Sequence, residues 1–241
     1  LAGSLGLCGQ QPYTDFELSL EQVSHSFGKR RVLTSVSAAV RAGQVMVVTG
    51  PNGSGKSTLI KIAARLIRPA SGRVVWRAGG RELGMDAAKG VVGLVSPELT
   101  LYDELTAIEN LLFFARVRGW SGHGLVRWRG LAGAEDVAAG GGARARARAI
   151  LEQVGLEGRG DDLVGTYSSG MKQRLKYAFA LMHSPALLLL DEPTANLDEA
   201  GTEIVRRIIA EARGSACVVV ATNEPEEVTW GDAVIRLGGV A

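Results

Sequence analysis

An α/β fold with a parallel central sheet is predicted for this 241-residue chain by two observations. Three continuous apolar runs, Val45 to Val48, Leu187 to Leu190 and Val218 to Ala221, have the length of strands buried on both faces, and stretches with helical spacing alternate with them. A glycine-rich loop, GPNGSGKST at Gly50 to Thr58, joins the first of these runs to a helix.

Taken in order, Phe16 to Val23 and Val36 to Val40 alternate apolar with polar residues, which predicts half-buried strands of an antiparallel N-terminal layer. Val45 to Thr49 is a buried strand, and Leu59, Ile60, Ile62 and Ala63 lie at helical spacing after the loop. Val74 to Trp76 and Val91 to Val95 are further short strands between turns marked by Pro69, Gly72, Gly79 and Gly80. Ala107 to Arg118 is amphipathic and closed by Gly119. Trp120 to Gly142 breaks every period and is expected to be a flexible loop, followed by a helix with arginines at every second position. Alternate positions fall on different faces of a helix, so those arginines are expected in solvent. A helix from Ser168 to about His183, a strand Leu187 to Asp191, a helix Glu199 to Ala212 and strands Ala216 to Ala221 and Ala233 to Leu237 complete the core.

A chain with 46% apolar and 22% charged residues has the balance of a folded domain. None of its apolar runs approaches the roughly 20 residues that span a bilayer. Cys8 and Cys217 make no disulfide framework, Cys217 reads as a buried thiol, and a reducing cytoplasm fits both. Leu1 to Gln11 has no basic residue before its apolar stretch and makes a poor secretory signal, so residues 1–15 are expected to be a disordered tail. A net charge of +2 with no aromatic-interleaved basic patch argues against a nucleic-acid partner.

Gly50, Gly55, Lys56 and Ser57 satisfy GxxxxGK[ST] between strand and helix, the context that motif requires. Across Gly50, Pro51, Asn52, Gly53, Ser54 and Gly55 the backbone can curl until successive N–H groups face a phosphate, and the helix adds its positive end. Lys56 then neutralises the β- and γ-phosphates of ATP, Ser57 offers a hydroxyl to Mg²⁺, and Thr58 adds a phosphate contact. Such a magnesium site needs a carboxylate at the end of a neighbouring strand, and Asp191 follows Leu187 to Leu190. Neighbours at a strand end point in different directions, so Glu192 is free to face the water that attacks the γ-phosphate. These residues predict a P-loop NTPase core.

LLLLDEPTANLD at Leu187 to Asp198 resembles the Walker B and D-loop segment of ATP-binding cassette (ABC) ATPases, and YSSGM at Tyr167 to Met171 resembles their LSGGQ signature. The resemblance covers about Phe16 to Gly238, omits the tail, and makes residues 120–142 an insertion in a helical subdomain of about residues 97–170. It implies that Ser168 and Gly170, with Ser169 between them, contact ATP held by a second ATPase subunit. It also implies that Phe27 stacks on adenine and that Asp198 couples the two sites. The implied protein is the ATPase of a transporter. It works as a homodimer or heterodimer with separately encoded transmembrane permease subunits, and lies in the cytoplasm, peripheral on the inner face of the cell membrane. LYDELTAIENL and YSSGM are similar to exporters of the haem-exporter or ABC-2 kind. A non-transport or regulatory ABC ATPase is the alternative.

Two positions depart from the family. Where it has a glutamine sensing Mg²⁺ and water, this chain has Pro97 or Glu98. Proline has no side-chain donor or acceptor, which leaves Glu98 to replace the glutamine oxygen. The switch histidine aligns with Asn223, which donates hydrogen bonds but never becomes a cation. Slow hydrolysis is the expectation.

Overall fold

The computed structural model describes residues 15–84, 88–117 and 142–238. The expected tail, apart from Asp15, and the glycine-rich stretch before Gly142 lie outside the described residues.

Strands β1 (Glu17–Phe27), β2 (Arg30–Arg41), β4 (Ser71–Ala78) and β5 (Arg81–Glu82) form an antiparallel sheet in the order β2-β1-β4-β5. Strands β3 (Val45–Thr49), β6 (Val92–Val95), β7 (Leu187–Asp191), β8 (Cys217–Thr222) and β9 (Ala233–Arg236) form a parallel sheet in the order β6-β7-β8-β3-β9. The expected antiparallel layer and parallel core are both present. β2 runs further than its alternation suggests, because Arg30 and Arg31 pair with Phe27 and Ser26 across a tight hairpin at Gly28, whose φ is 58°.

Alternation along the parallel strands feeds two separate cores. Val45, Val47, Leu188, Leu190, Val218 and Val220 face the helical side, whereas Met46, Val48, Leu187, Leu189, Cys217 and Val219 face α1 (Lys56–Ala63) and the antiparallel sheet. Both faces are covered, which is why these strands read as unbroken apolar runs. On the α1 side Trp76 is fully buried, donates to the Ala63 carbonyl at 3.1 Å, and carries the Arg65 guanidinium 4.1 Å above its ring. Cys217 is buried there too, its thiol 3.3 Å from the Phe16 and Val40 carbonyls.

The helical side consists of α3 (Ala107–Val117), α4 (Gly142–Gln153) and α5 (Ser169–Leu181), with α2 (Ala88–Val91) before β6, α6 (Glu199–Ala212) after β7 and α7 (Pro225–Val228) after β8. The solvated reading of the α4 arginines holds for Arg144 and Arg148, which share Asp161 at 3.0 and 3.2 Å. It fails for Arg146, which is buried and donates to the Leu181 carbonyl and the Ser184 hydroxyl at the end of α5. One end of the guanidinium is satisfied by a carbonyl and a hydroxyl at the helix C-terminus, its Nε is buried without a partner among the described residues, and burial brings its pKa down to about 10.

Candidate functional site

Because β3, β6, β7 and β8 are parallel, their C-terminal ends share one edge of the sheet, where α/β folds bind ligands. Thr49 pairs with Thr222 and Asp191 with Ala221, so the glycine loop, Asp191 and Asn223 leave adjacent strands.

The loop Gly50 to Gly55 is set by its backbone. Gly50 and Gly55 have φ of 155° and 98°, and a Cβ on either would collide, at 2.4 Å from the Leu237 carbonyl and 2.7 Å from Val32 Cγ1. Gly53 has φ 79° and receives the Arg30 guanidinium on its carbonyl at 3.4 Å, which ties the β1–β2 hairpin to the loop. Phe27 is 55% exposed and meets the His25 ring edge-on at 4.8 Å, so it is no core residue. Pro51, Asn52 and Gly53 are exposed, while the Ser54 hydroxyl is buried with no hydrogen-bond partner. Lys56 is buried and donates to the Gly50 and Pro51 carbonyls at 2.8 and 3.3 Å, so its ammonium lies against the concave loop.

Ser57 and Thr58, half-buried, open α1. Burial raises the pKa of Asp191, and a hydrogen bond from the Ser57 hydroxyl lowers it in part. Its Oδ1 is buried with no hydrogen-bond partner among the described residues. A serine hydroxyl beside a carboxylate with an orphaned buried oxygen is a hard-oxygen set that fits Mg²⁺, an ion held by one or two protein oxygens together with phosphates. Among the described residues no group of three or more His, Cys, Asp or Glu side chains is placed to cage a metal ion. Glu192 follows with φ 51°, and its N–H donates to the Ala221 carbonyl at 2.9 Å. The left-handed turn points it away from the direction an extended strand would give.

Glu98 is exposed, and both its oxygens accept from Lys61, at 2.6 and 2.7 Å. Lys61 stands one turn beyond Ser57 on α1 and also acts electrostatically on Asp191. The neighbouring Ser96 and Pro97 carbonyls accept from Lys176 of α5 at 3.2 and 3.1 Å. Asn223 is exposed just beyond β8. The motif reading missed Lys61, Lys176 and Arg30, for a basic residue outside a motif carries no sequence sign of its partner.

Ser168 caps α5 by accepting the Met171 N–H at 3.2 Å, and Ser169 beside it is exposed. Among the described residues no hydrogen bond joins this end of α5 to the glycine loop. Gly170 instead approaches Asn196, whose carbonyl would lie 3.3 Å from a Cβ there. Asp198 caps α6, accepting the Gly201 N–H at 2.8 Å. The chain thus gathers one set, Gly50 to Thr58 with Asp191 and Glu192, and presents a second, Ser168 to Gly170, separately on its surface.

Residues 33–195 match the family described as "ABC transporter", and the chain belongs to that family. It is 33% identical over 216 residues to the linearmycin resistance ATP-binding protein LnrL of Bacillus subtilis, covering 88% of this chain and 63% of that protein. It is 36% identical to the phosphonates import ATP-binding protein PhnC of Alcaligenes faecalis, covering 79% of this chain and 66% of that one. The chain thus spans under two thirds of the length of these relatives. Among solved structures it is similar to the dimeric structure of MJ0796, a bacterial ABC transporter cassette, with TM-score 0.73, 25% identity, and 92% and 94% of the two chains covered.

Proposed function

We propose that this chain binds and hydrolyses ATP as one half of a two-subunit ATPase that drives separately encoded transmembrane subunits. The observation that carries the reading is the division of the site. A phosphate cradle with Lys56, Ser57, Asp191 and Glu192 lies at one place and an exposed helix N-terminus with Ser168 to Gly170 at another. A second subunit would complete each cradle with its own Ser168, Ser169 and Gly170, and the dimeric cassette to which the chain is similar supports that arrangement.

In this reading the loop N–H groups, the α1 dipole and Lys56 hold the phosphates, and Phe27 stacks on adenine. Ser57 and Asp191 would hold Mg²⁺, which would supply positive charge to the phosphates. Glu192 accepts the proton of the attacking water. Asn223 offers a neutral donor to the γ-phosphate, and Glu98 is available to the metal side only when it leaves Lys61. Both features favour slow turnover. Asp198, at the start of α6 near Asn196, lies on the side where the partner would couple.

Among the described residues no helix is long and apolar enough to cross a membrane. The reading makes the chain a subunit peripheral on the cytoplasmic face, docked on a permease. Export is our reading of direction, from LYDELTAIENL, YSSGM and the likeness to a resistance protein. The reading is tested by light scattering on the Glu192→Gln protein: with ATP and Mg²⁺ its mass is expected to double, and a monomer at every ATP concentration would overturn it.

A further inference from the structure

The turn that carries Glu192 is held by two buried side chains from elements far apart in sequence. The Tyr177 hydroxyl, inside α5, donates to the Pro193 carbonyl at 2.7 Å. The Thr194 hydroxyl donates to Oε1 of Glu227, in α7. Tyr177 is fully buried and Glu227 is 3% exposed. The two interact electrostatically, and burial, with Glu224 adding to it, raises the Glu227 pKa.

Thr222, the last residue of β8, also acts on the Glu227 carboxyl, and its hydrogen bond, with that of Thr194, lowers the raised pKa in part. A carboxyl group in such a place is costly, and an apolar side chain of similar volume would pack at least as well. Oε1 of Glu227 accepts from Thr194, two residues beyond Glu192. Helix α7 has only four residues, too short to hold itself in place, and it starts two residues after Asn223. Glu227 thus ties the segment with Asn223 to the turn with Glu192, and Tyr177 ties that turn to α5, which opens with Ser169 and Gly170.

We propose that Glu227 is a positioning residue for hydrolysis: through Thr194 it fixes the turn that aims Glu192, and it makes that turn and the Asn223 segment move together. The proposal rests on the reading of Glu192 as the base that accepts the water proton. Glu227 itself touches neither nucleotide nor water in it.

The test is a double-mutant cycle on the full chain with Glu227→Ala and Thr194→Val, read as kcat, KM for ATP and amide hydrogen exchange at Glu192, whose N–H is bonded to Ala221. Each single change is expected to lower kcat at least about tenfold with KM within about threefold, and the pair to be no more than about twofold worse than either, because both break one link. Thr194→Ser keeps the hydroxyl and is expected to restore kcat to within about threefold of wild type. Exchange at Glu192 is expected to quicken at least about tenfold in both single variants while α1 is unchanged. Unchanged kcat, additive losses, or faster exchange throughout the protein would each overturn the proposal. If Glu192→Gln keeps its turnover, the reading of the base fails. Exchange at Glu192 then decides the Thr194–Glu227 link by itself, unchanged exchange rejecting it.

Discussion

The glycine loop after β3 and the segment Ser96 to Glu98 after β6 leave the same edge of one sheet but are held in different ways. The loop takes its shape from backbone conformations that only glycine tolerates and from contacts with buried atoms of β2 and Leu237. The second segment is held by two lysines, Lys61 on the Glu98 carboxylate and Lys176 on the Ser96 and Pro97 carbonyls. A site set by the backbone leaves little room for sequence change, whereas one set by surface side chains accommodates a proline or a glutamate. In the proposed reading, that difference accounts for a chain that keeps the glycine loop and carries Pro97 and Glu98 after β6.

The contrast is broken most severely at Gly50. A methyl group 2.4 Å from the Leu237 carbonyl forces the loop open, so Gly50→Ala is expected to cost about 2–4 kcal/mol of stability and to abolish nucleotide binding. Urea unfolding with a fluorescent nucleotide titration checks both. At the sensor end, Asn223→His supplies a donor able to carry charge. It is expected to raise the turnover number about tenfold, measured as phosphate release, with nucleotide affinity unchanged. Glu98→Ala breaks an ion pair whose carboxylate is 71% exposed, so the unfolding free energy is expected to fall by less than about 1 kcal/mol.

A smaller effect concerns pH. Burial, with Glu224 adding to it and hydrogen bonds from Thr194 and Thr222 opposing it, raises the Glu227 pKa in the folded chain. The folded state then binds that proton more tightly than the unfolded state. The contribution of Glu227 is full below the ordinary carboxylate range and declines as pH rises through the raised value. Glu227→Gln is expected to lack that decline, so urea midpoints of variant and wild type compared across acid to neutral pH should differ in slope.

Strands β3, β7 and β8 were legible because a strand covered on both faces must be apolar throughout, and Leu187 to Leu190 satisfies that with one residue type. Gly50 and Gly55 were legible because close backbone curvature restricts residue choice, and Lys56 and Ser57 because they follow at the spacing of a known loop motif. Glu227 was not, since glutamate in EPEEV is the usual residue of an exposed first turn and nothing local announces Thr194 across the fold. The burial of Arg146 escaped for the same reason: its partners lie in the Leu181 to Ser184 bend, 35 and 38 residues away. Side-chain partners brought together by tertiary structure leave no period in the sequence.

The central claim is that one chain separates ATP capture, done by the loop, from water activation, done by Glu192. Phosphate release by purified wild-type and Glu192→Gln protein, each at saturating ATP and Mg²⁺, tests it most directly. The account predicts a fall of at least about 100-fold in turnover with nucleotide affinity within about threefold. Turnover in the variant equal to wild type would contradict it.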